Sequence, residues 1–122
     1  MYTSIFVVLL NLSVTCTASE AYTASYHALP GELTEVVFYY PNGTVLQRGY
    51  MIDDIKTGEW ITYALSGEIT ARAYYAEGEK TGTWKVYDQE GNVTYKIRYR
   101  DDRKVWARQF DAEGNQTAYS IK

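Results

Sequence analysis

The chain of 122 residues contains one cysteine, one histidine and two prolines. One cysteine cannot close an internal disulfide, and one Cys with one His cannot make a Cys/His zinc site. Nucleophile–imidazole pairs lack partners, since the single histidine, His27, lies beside a Pro30-Gly31 turn and reads as a surface residue. An excess of either charge is also missing. Lys+Arg 12 against Asp+Glu 15 leaves a net charge of −3 and no global electrostatic footprint for nucleic acid. No glycine-rich phosphate loop opens a helix. These absences favour a protein that binds over one that catalyses, with no cofactor and no metal expected.

What is present is tyrosine and glycine, 13 and 9 residues, in a chain that is 46% hydrophobic. The length suits one domain. Tyrosine has an apolar body and a polar tip, so it fits half-exposed surfaces, and glycine serves turns. The pair suggests a shallow β protein.

Residues 5–14 read IFVVLLNLSV and are followed by Thr15-Cys16-Thr17-Ala18. The run falls short of the about 20 residues that span a bilayer and fits the apolar core of a secretory signal. Cleavage after Ala18 would place small residues, Cys16 and Ala18, where signal processing wants them, although residues 1–4 supply no Lys or Arg. The expectation is an exported protein, periplasmic or secreted. A lipoprotein anchored through Cys16 is a second option, with Ser13-Val14-Thr15 a poor match to the usual lead. A buried N-terminal strand of an intracellular protein is the alternative. Residues 1–18 are therefore read as a signal, 19–35 as a linker or N-terminal lead-in, and 36–122 as the folded domain.

That domain is a repeat. Tyr39, Tyr63 and Tyr87 stand 24 residues apart, and Phe110 follows 23 later. Gly43, Gly67, Gly91 and Gly114 keep the same spacing. Gly58-Glu59-Trp60 recurs as Gly82-Thr83-Trp84 and decays to Lys104-Val105-Trp106. The third copy has lost two residues between Asp102 and Trp106 and gained one before Phe110. Each unit reads as a turn ending in Gly, a strand of about seven residues, a second turn running through Lys-Thr-Gly, and a second strand from the Trp. Gly58 and Gly82 mark the second turns. No 3.6-residue period interrupts the pattern. The expected fold is all-β: hairpins in series forming one elongated, curved antiparallel sheet.

Strand alternation assigns faces. One face is expected to carry Val45, Ile69 and Val93, then Gly49, Ala73 and Ile97, then Met51, Tyr75 and Tyr99. The other carries Thr70 and Thr94, with Leu46 as an exception, and then Arg48, Arg72 and Lys96. A single apolar sheet face needs a cover. The options are curling of the sheet, segment 19–35, a second copy, or a partner. Self-association or a protein partner is thus expected.

Two sets of side chains are candidates for binding. Trp60, Trp84, Trp106, Tyr63 and Tyr87 form an aromatic ladder, either cross-unit packing or a platform for a peptide or glycan. Arg48, Arg72 and Lys96, extended by Arg98 and Arg100, form a cationic stripe with steps of about 10 Å. It is either a solvated face or a site for phosphate, anionic lipid or an acidic partner. Arg103, Lys104 and Arg108 add charge nearby. The acidic pairs Asp53-Asp54 and Asp101-Asp102 sit two units apart, about 20 Å, too far for paired-carboxylate chemistry at about 5–9.5 Å. Turn chemistry explains them.

The Tyr-x-x-x-Gly turn, the 24-residue spacing and the stretch Tyr75-Ala76-Glu77-Gly78-Glu79-Lys80-Thr81-Gly82-Thr83-Trp84 resemble the MORN (membrane occupation and recognition nexus) family in its bacterial variant form. The resemblance covers about residues 38–114. It implies curved β-hairpin sheets that serve in scaffolding, dimerisation and contact with membranes or phosphoinositides. It is also similar to the YwqK-type antitoxin group, which implies neutralisation of a cognate toxin. The leading expectation is a non-catalytic scaffold that engages a protein through its aromatic face. An antitoxin or immunity protein, or a module touching anionic lipid at a membrane surface, is the alternative.

Overall fold

A computed structural model describes residues 21–121. The expected signal, 1–18 with Cys16, lies outside the described residues. Among those described there is no helix. The strands are β1 (Thr23–Ala28), β2 (Leu33–Tyr39), β3 (Val45–Ile52), β4 (Ile55–Tyr63), β5 (Ile69–Ala76), β6 (Glu79–Lys80), β7 (Gly82–Tyr87), β8 (Val93–Arg100), β9 (Arg103–Phe110) and β10 (Gln116–Ile121). They form one antiparallel sheet in chain order, with β6 beside β5. The all-β series of hairpins is as the repeat predicts. The lead-in segment supplies β1, which extends the sheet by pairing with β2 rather than lying across a face. The sheet also stays open, with β1 and β10 at its edges, so curling does not cover the apolar face.

Two kinds of turn alternate. At the first, the amides of Gly43, Gly67, Gly91 and Gly114 donate to the carbonyls of Tyr40, Ala64, Asp88 and Asp111, at 2.8–3.1 Å. Asp88 and Asp111 brace their turns by accepting from the amides of Asn92 and Asn115 at 2.8 Å. The second turn is shorter than the sequence suggests. Only two residues make it: Asp53-Asp54, Glu77-Gly78 and Asp101-Asp102, all at positive φ. Two such residues in succession are what a two-residue hairpin needs to match the strand twist, and Asp tolerates that region. The acidic pairs are therefore turn centres. Lys-Thr-Gly belongs to the following strand, and β4 begins at Ile55 rather than at Trp60.

Each Gly before a Trp marks a bulge. Between β3 and β4 the register moves from Arg48↔Ile61 to Tyr50↔Thr57, two residues against four. Between β5 and its partners it moves from Arg72↔Lys85 to Tyr75↔Lys80, three against five. In the last hairpin it moves from Arg98↔Trp106 to Tyr99↔Lys104, one against two. The first two hairpins thus absorb two extra residues, and the last absorbs one. A shift of one residue turns a side chain to the other face.

The faces follow from the register. Trp60 stands opposite Ala73 and Trp84 opposite Ile97. The core on this apolar face is Val36, Phe38, Leu46, Trp60, Ala73, Tyr75 and Trp84. Small residues make its floor. A Cβ on Gly49 would lie 1.9 Å from Trp60 Cδ2, so the indole rests directly on the β3 backbone. Trp60 has no solvent exposure. Large rings lying flat over Gly49, Ala71 and Ala73 let one layer bury much of its own face.

Candidate functional site

The aromatic candidates do not form one ladder. On the apolar face the rings run Phe38, Trp60, Tyr75, Trp84, Tyr99, with centroid separations of 6.5, 6.3, 5.4 and 4.8 Å. Trp60 Nε1 donates to the Tyr50 carbonyl and Trp84 Nε1 to the Tyr74 carbonyl, each at 3.1 Å and each beside a bulge. The indoles therefore fasten successive units. Trp106 is on the opposite face, in register with Arg98, and Ala107 takes the place opposite Ile97. Tyr63 pairs with Ile69 and Tyr87 with Val93, where a further register shift follows each first turn. Ile69 lines a hollow with Arg72 and Tyr87, and Val93 lines one with Lys96 and Phe110. Tyr63 and Tyr87 thus belong to the cationic face. So do Val45, Ile69 and Val93, which simple alternation had placed on the apolar one.

Two lysines overlooked as chemistry complete the ring file. Lys56 Nζ lies 4.6 Å from the Trp60 ring centre and 5.0 Å from that of Tyr75. Lys80 Nζ sits likewise, 5.6 Å from Trp84 and 5.3 Å from Tyr99. Each ammonium bridges the Trp of its own unit and the Tyr of the next, a cation–π contact worth about 0.5–2 kcal/mol. Lys56 Nζ is buried and has no hydrogen-bond partner. Burial, with the Lys80 charge nearby, lowers its pKa to about 8. Burial also raises the Tyr75 and Tyr99 phenols, helped at Tyr99 by the charge of Asp102. The available signal was the recurrence of Lys-Thr-Gly, which was read as a turn.

The cationic stripe divides in two. Arg48 meets Glu35 at 3.9 Å, and Arg72 meets Glu59 at 3.1 Å. Tyr74 also donates to Glu59, at 2.9 Å. One repeat later, Thr83 occupies the place of Glu59, and Arg98 donates to its hydroxyl at 3.4 Å. Among the described residues, no ion pair reaches Lys96, Arg98 or Arg100. Arg100 stands opposite Arg103 across the Asp101-Asp102 turn.

The steps of the stripe differ too. Arg48 and Arg72 are separated by Ile61 in the same row. Beyond Arg72, each of β7, β8 and β9 contributes a cation: Arg72↔Lys85, Lys85↔Lys96, Lys96↔Arg108. Neighbouring strands are about 4.8 Å apart, so the step is half that expected from equivalent strands alone. Like charges directly opposite on a sheet are destabilising. Lys85 was missed because only equivalent positions were compared, and the deletion before Trp106 disguised the equivalence of Arg108.

Aromatic rings support this row. Lys96 Nζ lies 5.4 Å from the Phe110 ring centre, and the Arg108 guanidinium lies 4.5 Å from Trp106 and 5.3 Å from Tyr119. Arg108 Nε is buried without a hydrogen-bond partner. Exposed apolar groups adjoin it, with Tyr119 at 48% and Ile121 at 70% exposure. Among the described residues, no three His, Cys, Asp or Glu side chains gather to hold a metal.

The model of one protein family, described as MORN repeat variant, matches residues 34–53 and 80–101. The chain carries this repeat in two places. The first match covers most of the β2–β3 hairpin and the second runs from β6 to the tip of β8. The unit between them follows the same bulged geometry. No curated protein and no solved structure matches the chain.

Proposed function

We propose that this chain is a non-catalytic binding module that holds a protein partner on the cationic face of its last hairpins. One observation carries the reading: Lys85, Lys96 and Arg108 stand directly opposite one another on adjacent strands with no carboxylate among them. Such a row costs stability in the free protein, and an acidic partner offsets that cost. The MORN repeat fits a scaffold role of this kind. Trp60 and Trp84 are engaged in packing their own sheet, so the partner-facing aromatics are Trp106, Tyr119 and Phe110.

The proposal places the protein outside the cytoplasm, on the strength of the apolar run 5–14 and the small residues to Ala18. Sequencing the N-terminus of the mature protein tests this, and an intact Met1 counts against export. The binding reading is tested by cross-linking in cells of the native host, comparing wild type with Lys85→Gln/Lys96→Gln/Arg108→Gln. Cross-links to a host protein should vanish in the variant while its melting temperature holds or rises. Identical cross-links in both would remove the row from the function. Neutralising a cognate toxin is one form of the same reading, and rescue on co-expression with a toxin encoded nearby would identify it.

An anionic lipid surface is the second reading. It is favoured by Tyr119 and Ile121, which stand exposed beside the cations as membrane-contacting side chains do. Sedimentation with anionic and with neutral vesicles separates it from the first.

A further inference from the structure

We infer that the partner presents an acidic α-helix laid across the strands, along the row Lys85–Lys96–Arg108. This rests on the protein-partner reading above. Two strand spacings make the row about 10 Å long. On a helix, carboxylates at i, i+3 and i+7 share one face and span seven residues at 1.5 Å, about 10.5 Å. On an extended chain, three same-face carboxylates at i, i+2 and i+4 span about 13 Å. The helix matches the row and the extended strand overshoots it.

The borders of the row agree with a helix. On one side stand Tyr87, Val93 and Phe110, and on the other Thr83, Arg98 and Trp106. A hollow of about 290 Å³ beside Lys96, lined by Val93 and Phe110 and also by Asp111 and Glu113, closes this apolar border. A charged stripe with an apolar border along one side is what an amphipathic helix with an acidic ridge complements. The row is also open to a new partner. Arg72, its neighbour on β5, already has Glu59, whereas among the described residues no ion pair reaches Lys85, Lys96 or Arg108. The Arg108 guanidinium is already held against the Trp106 and Tyr119 rings, so pairing its terminal nitrogens with a carboxylate takes little further ordering.

The probes are three synthetic peptides of equal net charge and about 15 residues, long enough for a helix. The first carries Glu at i, i+3 and i+7 bordered by Leu. The second scrambles that order, and the third places Pro at the centre. Affinity for the full chain is read by fluorescence anisotropy at two salt concentrations. The helical peptide should bind at least tenfold tighter than the other two, with the preference lost in Lys85→Gln/Lys96→Gln/Arg108→Gln. Circular dichroism checks the fold of that variant, and Lys96→Gln alone replaces it if folding fails. Equal affinity for all three peptides would overturn the helix and leave the protein-partner reading standing. Absence of peptide binding, with row-dependent cross-links to a host protein retained, would do the same. Tighter binding to vesicles containing phosphatidylserine, lost in the same variant, would make the occupant a membrane and overturn both.

Discussion

In the unit of β3, β4 and β5, Trp60 is buried, rests on Gly49 and bonds a backbone carbonyl, while Ile61 separates Arg48 from Arg72 and Glu59 holds Arg72. In the last unit, Trp106 is half-exposed on the opposite face, Ala107 replaces it on the apolar side, and cations follow one another strand by strand. Both units descend from one pattern. They differ by one residue in a bulge and by the loss of the Glu59 carboxylate, whose place is taken by Thr83 in the middle unit and by Val105 in the last. The comparison teaches that a repeat can spend its early copies on cohesion and its last copy on display. The Trp–Tyr–Lys file fastens the first units, and the slipped register of the last turns its largest ring to the cationic face.

The sharpest way to break this comparison is to remove the two indoles in turn. Trp60→Ala should cost about 3–5 kcal/mol, as deletion of a buried ring does. Trp106→Ala should cost about 1 kcal/mol, since a half-exposed ring loses little. Gly49→Ala should fall between them at about 1–3 kcal/mol, because the new methyl must displace the Trp60 ring. Chemical denaturation measures all three, and equal losses at Trp60 and Trp106 would dissolve the distinction.

A second contrast concerns pH. Lys56 is held at about 8 in the folded protein against an ordinary 10.5. Between these values the unfolded chain binds more protons than the folded one, so stability rises with pH through that window and is flat for this group below it. The gain should be on the order of 2 kcal/mol. The tyrosines act the other way. Tyr75 and Tyr99 have raised pKa values in the fold, so above about pH 10 the unfolded chain loses their protons first and stability falls. Melting curves across this range should show a maximum near pH 10, and Lys56→Met should abolish the rise that leads to it.

The smallest expected effect comes from giving the middle unit the carboxylate of the first. Thr83→Glu restores a carboxylate beside the cations. It should raise stability by about 0.5 kcal/mol at low salt and by less at high salt. It should also weaken binding of an acidic peptide. Unchanged melting together with unchanged binding would mean that the missing carboxylate is of no consequence.

Much of the fold was legible because its signals are local. A Gly at each first turn and a period of 24 residues specify hairpins, and hairpins in series specify the sheet. The stripe Arg48, Arg72, Lys96 was legible for the same reason. What alternation alone could not yield were the faces of Val45, Ile69 and Val93, the slip of Trp106, and the partners Lys85 and Arg108. Each but Lys85, which lies on the strand between the equivalent positions, depends on a bulge, and a bulge changes which residue faces which without changing composition or period. The lysine bridges were hidden differently: Lys56 reaches Tyr75 of the next unit, a contact between residues far apart in the chain.

The sequence by itself determined the repeat, its turns and the all-β architecture, because turn preferences and spacing act over a few residues. Only the tertiary structure decided which rings are buried, which cations stand alone and where they line up. Those properties arise between strands, where one extra residue in a ladder reverses every side chain beyond it.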